Sequence, residues 1–384
     1  MNPKYDVIII GAGPAGATCA LQLRHSGLQV LLIDKSTFPR SKTCGDAIGG
    51  RSIKTLLACC PELIVSFRQF SAKTRTTQTR LYINHHKPFE VHWVNEAYCC
   101  ARHDFDNFLL NAVRQYAPNV TILEDFQVDF VEKQPNIDGI CVGNQAQQLF
   151  FETKILVGAD GAQSIVSKKL TATKLSHRDH VGAVRTYFKG VKDLELNTTE
   201  IYISPELLPG YFWVFPLGDG FANVGYGMLT EEISKKKVNL RHTLTNYIQT
   251  SPLLKARFAD SKQVGKIEGF GLPIGSRRVC MSGDHFLLTG DAAALIDPAS
   301  GDGISNAIVS GKIAAQTIES AHKIKNFTAD FLKTYETDLF KIIYKELIQS
   351  TLVLRLGVKM PFLMDVMAFF MGIRWVNRLV KKML

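Results

Sequence analysis

The stretch PRSKTCGDAIGG places a thiol and a carboxylate between two cations and a run of turn-forming residues. Cys44 and Asp46 carry groups that could move a proton, and Arg40 and Lys42 could reach a phosphate or a ribose. Gly45 would let the backbone pass close to a bound ring. Because the stretch follows an apolar segment typical of a strand, we expect a loop at the edge of a binding site.

The elements that could position this loop begin at the N-terminus, where YDVIIIGAGPAGATCALQLRHSGLQVLLIDK predicts a βαβ unit. An apolar strand over 7–10 leads into GxGxxG, a helix over 15–24 and a second strand over 30–33. The first glycine permits the turn, the second lets the backbone approach a pyrophosphate, and the third lets the helix pack closely. Asp34 stands where an acid binds the adenosine ribose. The predicted dinucleotide cradle comprises Gly11, Gly13, Pro14, Ala15, Gly16, Asp34 and Lys35; the alternative is a glycine turn that only packs a helix.

Two further stretches repeat the strand–glycine–acid order. ILVGADGAQSIVSKKL is a short strand followed by a helix opening at Ser164, and HFLLTGDAAALIDPASGDGISNAIVSGK leads into a long helix from about residue 304. A helix that begins with glycines presents bare N–H groups and a positive dipole end, which suit a negative charge. These stretches add further candidates for cofactor binding, namely Asp160, Gly161, Asp291, Pro298, Gly301, Gly303 and Ile304.

Composition excludes several classes of protein. The 384 residues are 46% apolar and 21% charged, as in an ordinary globular chain, and the net charge of +10 favours a nucleic acid, a membrane surface or an anionic cofactor. The sequence has neither zinc-ligand spacing nor an aromatic-basic RNA motif, so we predict no metal and no nucleic-acid partner. The eight cysteines include no CxxC pair, which predicts free thiols in a reducing, cytoplasmic compartment. No run reaches the roughly 18 apolar residues of a membrane span.

Together, the glycine–acid motifs resemble those of the p-hydroxybenzoate hydroxylase superfamily of flavoproteins. ARHDFDNFLLNAV adds that group's RxxFDxxL signature. The resemblance implies FAD as cofactor, with Arg102 in contact with it, while Phe105 and Asp106 serve the helix start and packing. By the same resemblance, Gly301 and its neighbours would stabilise the negative charge of the reduced flavin.

Two narrower motifs resemble the geranylgeranyl reductase family over about residues 5–320. PRSKTCGD is similar to its PxxKxCG[GD] segment, and LLPGYFWVFPLGDGFANVGYGM is similar to its PxxYxWxFP signature. The resemblance implies reduction of carbon–carbon double bonds in a prenyl chain of a lipid, diphosphate or isoprenoid quinone, with NAD(P)H as the electron donor. The alternatives are a monooxygenase acting through a C4a-hydroperoxide and a non-enzymatic flavin-binding protein.

The resemblance also places Cys44 beside the flavin. Cys44 would then orient the substrate or donate a proton, with Asp46 or water as the other proton donors, and Arg40 and Gly45 would contact the cofactor. An exposed thiol near cations is expected to have a lowered pKa. The alternatives are that Cys44 is a small residue chosen for fit and that Asp46 is a turn former.

Tyr211, Trp213 and Phe215 alternate, so in a strand their side chains share one face. We predict a flat apolar wall that binds a hydrocarbon substrate. The alternative is a sheet face that packs against its own helix. His177, His180 and Arg185 are expected at the surface; the alternative is that they contact the head group of the substrate.

The predicted fold is α/β, with a Rossmann-type FAD-binding domain and an inserted antiparallel β-sheet substrate domain. The expected boundaries are 1–65, 99–171 and 276–320 for the first domain, and 66–98 and 172–275 for the second. Residues 321–384 are expected to form C-terminal helices.

The end of the chain combines apolar and basic residues. Residues 360–372 are strongly apolar, and residues 374–384 have an apolar helical face with basic residues elsewhere. We expect an interfacial anchor at the inner face of the membrane; the alternative is a helix that caps the FAD domain or makes a dimer contact. The oligomeric state is left open.

Overall fold

A computed structural model describes residues 2–84, 87–133, 138–174 and 176–359. The strands within these ranges are, in chain order, β1 (Lys4–Ile10), β2 (Val30–Ile33), β3 (Ala47–Ile48), β4 (Thr74–Ile83), β5 (Phe89–Cys99), β6 (Val120–Leu123), β7 (Phe130–Glu132), β8 (Ile140–Asn144), β9 (Leu149–Gly158), β10 (His180–Lys189), β11 (Thr198–Ile203), β12 (Gly210–Pro216), β13 (Phe221–Leu229), β14 (Lys262–Pro273), β15 (Ser282–Gly283) and β16 (Phe286–Leu288). The helices there are α1 (Pro14–Gln22), α2 (Gly50–Cys59), α3 (Leu63–Gln69), α4 (Arg102–Tyr116), α5 (Ile165–Leu170), α6 (Thr230–Lys236), α7 (Leu240–Thr250), α8 (Lys255–Phe258), α9 (Ile304–Ile324), α10 (Ala329–Leu332) and α11 (Thr334–Lys359).

The first sheet has the strand order β15-β16-β9-β1-β2-β6, and β8 adds to β9 and β7 to β8. Its central strands are parallel, with β1 between β2 and β9. Their apolar runs are buried on both faces, as expected of parallel strands covered by helices. The predicted βαβ unit is confirmed, with α1 continued by a short 3-10 turn over Leu23–His25.

Helices α1 and α9 pack closely against each other. A Cβ atom at Gly311 would lie 2.2 Å from the carbonyl oxygen of Ala15, so only glycine lets the two backbones approach this closely. Both helices begin at glycine-rich loops, with Gly13 preceding α1 and Gly303 preceding α9. Their close packing therefore brings two helix N-termini to the same side of the sheet.

The second sheet has the strand order β14-β10-β13-β12-β11-β4-β5-β3. Strands β12 and β13 form a hairpin, since they pair antiparallel across a turn over Gly218–Gly220. This sheet was predicted to be antiparallel, but one pair differs: β11 runs parallel to β4. These strands are far apart in sequence, so no hairpin imposes the antiparallel direction on them. The rings of Tyr82 and Tyr202, directly opposite each other in this pair, stack with centroids 4.5 Å apart.

Strand β3 lies within residues 1–65 yet pairs with β5 of the second sheet. The division of the chain into domains stays a prediction. All eight cysteines are free, as predicted.

The long helix α11 buries one apolar face. Tyr335, Leu339, Ile343 and Leu347 follow one another at four-residue spacing and are each at most 4% exposed. In the part of the chain that the structure describes, no helix is long and apolar enough to cross a membrane. The predicted interfacial segments over 360–372 and 374–384 lie outside the described residues.

Candidate active site

One cavity of about 1290 Å³ brings together the residues predicted from sequence. It is lined by the turn after β1, the loop before β3, the turn after β9, the loop before α9 and the inner face of β12. Of the predicted site residues, those that line it are Gly11, Gly13, Pro14, Ala15, Asp34, Lys35, Arg40, Cys44, Gly45, Asp46, Arg102, Asp160, Gly161, Tyr211, Trp213, Phe215, Asp291, Pro298, Gly301, Gly303 and Ile304. Gly16 stands behind this surface, where a Cβ would lie 1.8 Å from the carbonyl oxygen of Gly11.

The turn after β1 has the shape of a phosphate cradle. Gly11 has a φ of +102°, and a Cβ there would lie 2.3 Å from the carbonyl oxygen of Ala159. Gly13, the N-cap of α1, has no side chain to block approach to the N–H groups of that helix. Glycine at these positions therefore joins strand and helix tightly and leaves the helix N-terminus open to an anion.

Two guanidinium groups face this N-terminus. A Cβ at Gly13 would lie 3.6 Å from Nη2 of Arg40 and 3.9 Å from Nη2 of Arg102. The buried Asp106 contacts both, through a bidentate pair with Arg102 at 2.6 and 2.7 Å and an ion pair of 3.1 Å with Arg40, so the three side chains keep one net positive charge. Nη1 of Arg40, the atom that contacts Asp106, is buried and forms no hydrogen bond of good geometry with any described residue. These groups fit the pyrophosphate of a dinucleotide. The Nζ of Lys42 instead lies 3.4 Å from the ring centroid of Phe270.

The acids at the strand ends hold the turns of the cradle. Asp34 accepts hydrogen bonds from the backbone N–H of Ala12 at 2.8 Å and of Ser36 at 2.9 Å. Asp160 accepts one from the N–H of Ile165 at 2.7 Å, and burial raises the pKa of its carboxyl. Both carboxylates line the cavity while they fix the backbone that surrounds it.

Asp46 is the centre of a buried polar network. It is fully buried and has a φ of +64°, an uncommon conformation for a residue with a side chain. Its Oδ2 accepts hydrogen bonds from the Tyr187 hydroxyl and from Nδ2 of Asn223, each at 2.8 Å, and Oδ1 accepts one from the N–H of Arg102 at 3.2 Å. Nδ2 of Asn223 also donates to the carbonyl oxygen of Cys44 at 2.8 Å. The network thus fixes the loop on both sides of Gly45.

Burial raises the pKa of both candidate proton donors, Asp46 and Cys44. It raises the pKa of Asp46 to about 6, against the hydrogen bonds from Asn223 and Tyr187 that lower it. It also raises the pKa of the Cys44 thiol, although the guanidinium of Arg102 opposes this shift. The expected lowered pKa of Cys44 is therefore wrong: the thiol is only partly exposed, and its desolvation outweighs the nearby cations. Cys44 is a neutral thiol at neutral pH.

The aromatic wall is present on β12 and connects two loops of the site. Ring centroids of Tyr211 and Trp213 are 5.9 Å apart, and those of Trp213 and Phe215 are 6.2 Å apart. The Tyr211 hydroxyl donates to the carbonyl oxygen of Ser300 at 2.5 Å, and Nε1 of Trp213 donates to Oδ1 of Asn223 at 2.9 Å. The wall is therefore tied to the loop before α9 and, through Asn223, to the loop that carries Cys44.

Three residues of this region were missed or misplaced by the sequence predictions. Arg185, expected at the surface, is 6% exposed and lines the cavity, because it shares one face of β10 with Tyr187 and pairs with Glu268 of β14 at 2.9 Å. Asn223 and Tyr187 were not singled out. A polar Asn within the buried strand β13 was the available signal for the first, since buried amides need partners.

The same cavity has many further apolar lining residues. These side chains come from β11, the loop before β12, β13, β14 and α11, and they are Ile201, Ile203, Leu208, Met228, Leu229, Leu272, Val353 and Leu354. The threonines Thr76, Thr79 and Thr199 of β4 and β11 also line it. A single cavity therefore contains the glycine cradle, Cys44 and a set of hydrocarbon side chains.

Comparison with known proteins identifies the family. The chain matches the profile of the FAD binding domain over residues 4–339. It belongs to this FAD-binding family. A digeranylgeranylglycerophospholipid reductase of Methanococcus vannielii is 28% identical over 91% of this chain and 86% of its own length. A menaquinone reductase of Mycobacterium tuberculosis is 27% identical over 83% of this chain and 78% of its own length.

Solved structures share the fold. A geranylgeranyl bacteriochlorophyll reductase-like protein of Thermoplasma acidophilum has a TM-score of 0.84 at 22% identity, covering 96% of this chain and 92% of that one. A flavin-dependent brominase has a TM-score of 0.73 at 22% identity, covering 96% and 94%. The predicted fold class and the resemblance to geranylgeranyl reductases are confirmed. The protein is an FAD-dependent oxidoreductase that is similar to geranylgeranyl reductases.

Proposed function

We propose that this flavoprotein reduces carbon–carbon double bonds of a prenyl chain carried by a lipid, a diphosphate or an isoprenoid quinone. The observation that carries the proposal is that one cavity contains the glycine cradle, Cys44 and apolar side chains from β11, β13, β14 and α11. Such a cavity can hold a dinucleotide and a long hydrocarbon end to end. The names of the two relatives, a prenyl-lipid reductase and a quinone reductase, support the same substrate class.

Bound FAD, when reduced, supplies the hydride for such a reaction. The cradle at Gly13, with Arg40 and Arg102, would hold its pyrophosphate. The loop at Gly45 and the loop over 298–303 would hold the ring between them, since both line the cavity and both are tied to the aromatic wall.

An isolated double bond is a poor hydride acceptor, so the second carbon needs a well-placed proton donor. We assign that role to Cys44, whose thiol stays protonated because burial raises its pKa and which lines the cavity. Asp46 has no exposed surface, and both of its carboxylate oxygens accept hydrogen bonds. We assign Asp46 the role of holding Cys44 in place rather than protonating the substrate.

Tyr211 and Trp213 would bind the part of the prenyl chain that lies next to the reacting carbons. Their polar atoms are turned into hydrogen bonds with Ser300 and Asn223, so their rings present mainly carbon to the cavity. The wall thereby excludes water from the path between cofactor and substrate.

We propose NAD(P)H as the electron donor. The sequence contains one βαβ glycine motif of the dinucleotide type, so a nicotinamide would reach the flavin from the open cavity rather than from a second Rossmann domain.

The test is product analysis under nitrogen. FAD-loaded protein is incubated with geranylgeranyl diphosphate or menaquinone, and with NADH, NADPH or dithionite. We expect a product that has gained hydrogen across one or more double bonds. Product formed with dithionite but with neither NADH nor NADPH would contradict the nicotinamide donor and keep the reductase. A product that appears only in air and contains an added oxygen atom would replace the reductase with an oxygenase.

A further inference from the structure

A second, smaller cavity of about 340 Å³ lies between α11 and the loop that joins β14 to β15. Its floor is apolar and includes Met281, Leu295 and Leu347. Three arginines line it, namely Arg277, Arg278 and Arg355, and within the described ranges no Asp or Glu side chain does. The cavity therefore combines an apolar surface with an unbalanced positive charge.

Two of these arginines have no counter-ion in the structure as described. Arg277 pairs with Asp179 at 3.3 Å. Arg278 instead lies over two rings of α11, with its guanidinium carbon 4.6 Å from the centroid of Phe340 and 4.2 Å from that of Tyr344. Among residues 2–359 that are described, neither Arg278 nor Arg355 forms an ion pair. The rings hold the Arg278 guanidinium in place while leaving its N–H groups for an external anion.

The adjoining surface of α11 is apolar and exposed. Ile348, Leu352 and Leu356 follow at four-residue spacing and are 48%, 57% and 40% exposed, and Val353 beside them is 52% exposed. Aliphatic side chains in such a row, next to unpaired arginines, are typical of a surface that meets a lipid interface.

This surface borders both cavities. Leu352 lines the smaller cavity, and the next two residues, Val353 and Leu354, line the main one. Val353 is 52% exposed and also lines the main cavity, so the same part of α11 contributes to the apolar row and to that cavity.

We propose that Arg278, Arg355, Ile348, Leu352 and Val353 form a docking face for a bilayer that contains anionic phospholipid. The arginines would bind lipid phosphates and the aliphatic row would enter the headgroup boundary, so a prenyl chain could pass from the bilayer into the main cavity. The inference rests on the proposed lipid substrate for its purpose. The choice of a bilayer over an acidic protein follows from the exposed aliphatic row beside the arginines, and from Val353 and Leu354, through which the same helix lines the main cavity.

Vesicle sedimentation of the full chain tests this face. The vesicles are phosphatidylcholine with and without phosphatidylglycerol, and the variants are Arg278→Gln/Arg355→Gln and Ile348→Gln/Leu352→Gln. Each basic residue near an anionic surface contributes roughly fivefold to binding, so the arginine pair should weaken binding to anionic vesicles roughly 30-fold. The matched control, Lys262→Gln/Lys266→Gln, removes the same charge from exposed positions of β14 and should bind like the unchanged protein.

Flavin content and thermal unfolding of each variant show that it is folded. Equal binding to neutral and anionic vesicles, or full binding by both variants, would overturn the proposal. So would a dimer in light scattering that the apolar variant dissociates, because the face would then be a protein interface. Since sedimentation does not depend on turnover, vesicle binding without prenyl reduction would refute the proposed function and leave the docking face standing.

Discussion

Nδ2 of Asn223 donates a hydrogen bond of 2.8 Å to Oδ2 of Asp46. The same nitrogen donates to the carbonyl oxygen of Cys44, and Oδ1 of Asn223 accepts from the indole of Trp213. One amide thus joins the loop that carries the thiol to the aromatic wall of the cavity.

Replacing Asn223 should uncouple the Cys44 loop from the aromatic wall. Asn223→Ala removes the partner of the Cys44 carbonyl and of the Trp213 indole N–H and one of the two hydrogen bonds to Oδ2 of Asp46. A buried polar group left unpaired costs about 1–3 kcal/mol. We expect urea unfolding at lower concentration and a fall in kcat that exceeds the change in flavin affinity. The control is Asn246→Ala on the exposed side of α7. Unchanged kcat in a folded Asn223→Ala protein would contradict the positioning role.

Asp46 should make stability depend on pH in a defined window. Its pKa rises from 3.8 to about 6 on folding, so between these values the folded state binds more protons than the unfolded state, and stability falls as pH rises. The unchanged protein should lose up to about 3 kcal/mol relative to Asp46→Asn across this window. Unfolding free energies of both proteins from pH 4 to pH 7 measure the difference; parallel curves would show that Asp46 has an ordinary pKa.

Substitution of Cys44 should separate the proton step from flavin reduction. Cys44→Ala removes the proposed donor, and general acid catalysis is worth about 10²–10⁴-fold in rate. We expect prenyl reduction to slow within that range, while reduction of the flavin by its electron donor keeps its rate. Cys280→Ser, at an exposed thiol, is the control. Full prenyl reduction by Cys44→Ala would assign the proton to water or another group.

Gly16 should be required for FAD binding although it does not line the cavity. In Gly16→Ala the new methyl would lie 1.8 Å from the carbonyl oxygen of Gly11, which must push α1 away from β1 and open the cradle. We expect purified protein with little or no flavin. Gly271→Ala places its methyl in open space on β14 and should retain flavin. The absorbance of bound flavin relative to that of protein measures the flavin content of both variants. Normal flavin content in Gly16→Ala would contradict the close packing of α1 against Gly11.

Local patterns were sufficient for much of this site. The cradle from Gly11 to Asp34 depends on residues close in sequence, so spacing alone predicted its strand, turn and helix. The alternation of Tyr211, Trp213 and Phe215 likewise predicted a shared face. Local sequence patterns did not predict the hydrogen-bond partners of the groups in the site. Asp46 and Asn223 are 177 positions apart, and only the packing of β13 against the Cys44 loop brings them together.

Burial explains the predictions that were wrong. The cations near Cys44 in sequence favoured a low thiol pKa, but desolvation depends on the strands and loops that close over the thiol, which spacing does not reveal. Arg185 was expected in water for the same reason. Its pairing with Glu268 across β10 and β14 is a property of sheet register.

The most direct test of the central claim is the reoxidation of the reduced flavin without oxygen. The FAD-loaded protein is reduced with dithionite under nitrogen, mixed with geranylgeranyl diphosphate or menaquinone, and followed by flavin absorbance. Reoxidation in step with loss of one double bond per flavin is the result that we predict. A flavin that stays reduced until air is admitted, with oxygen then added to the substrate, would contradict the claim that this cavity carries out prenyl reduction.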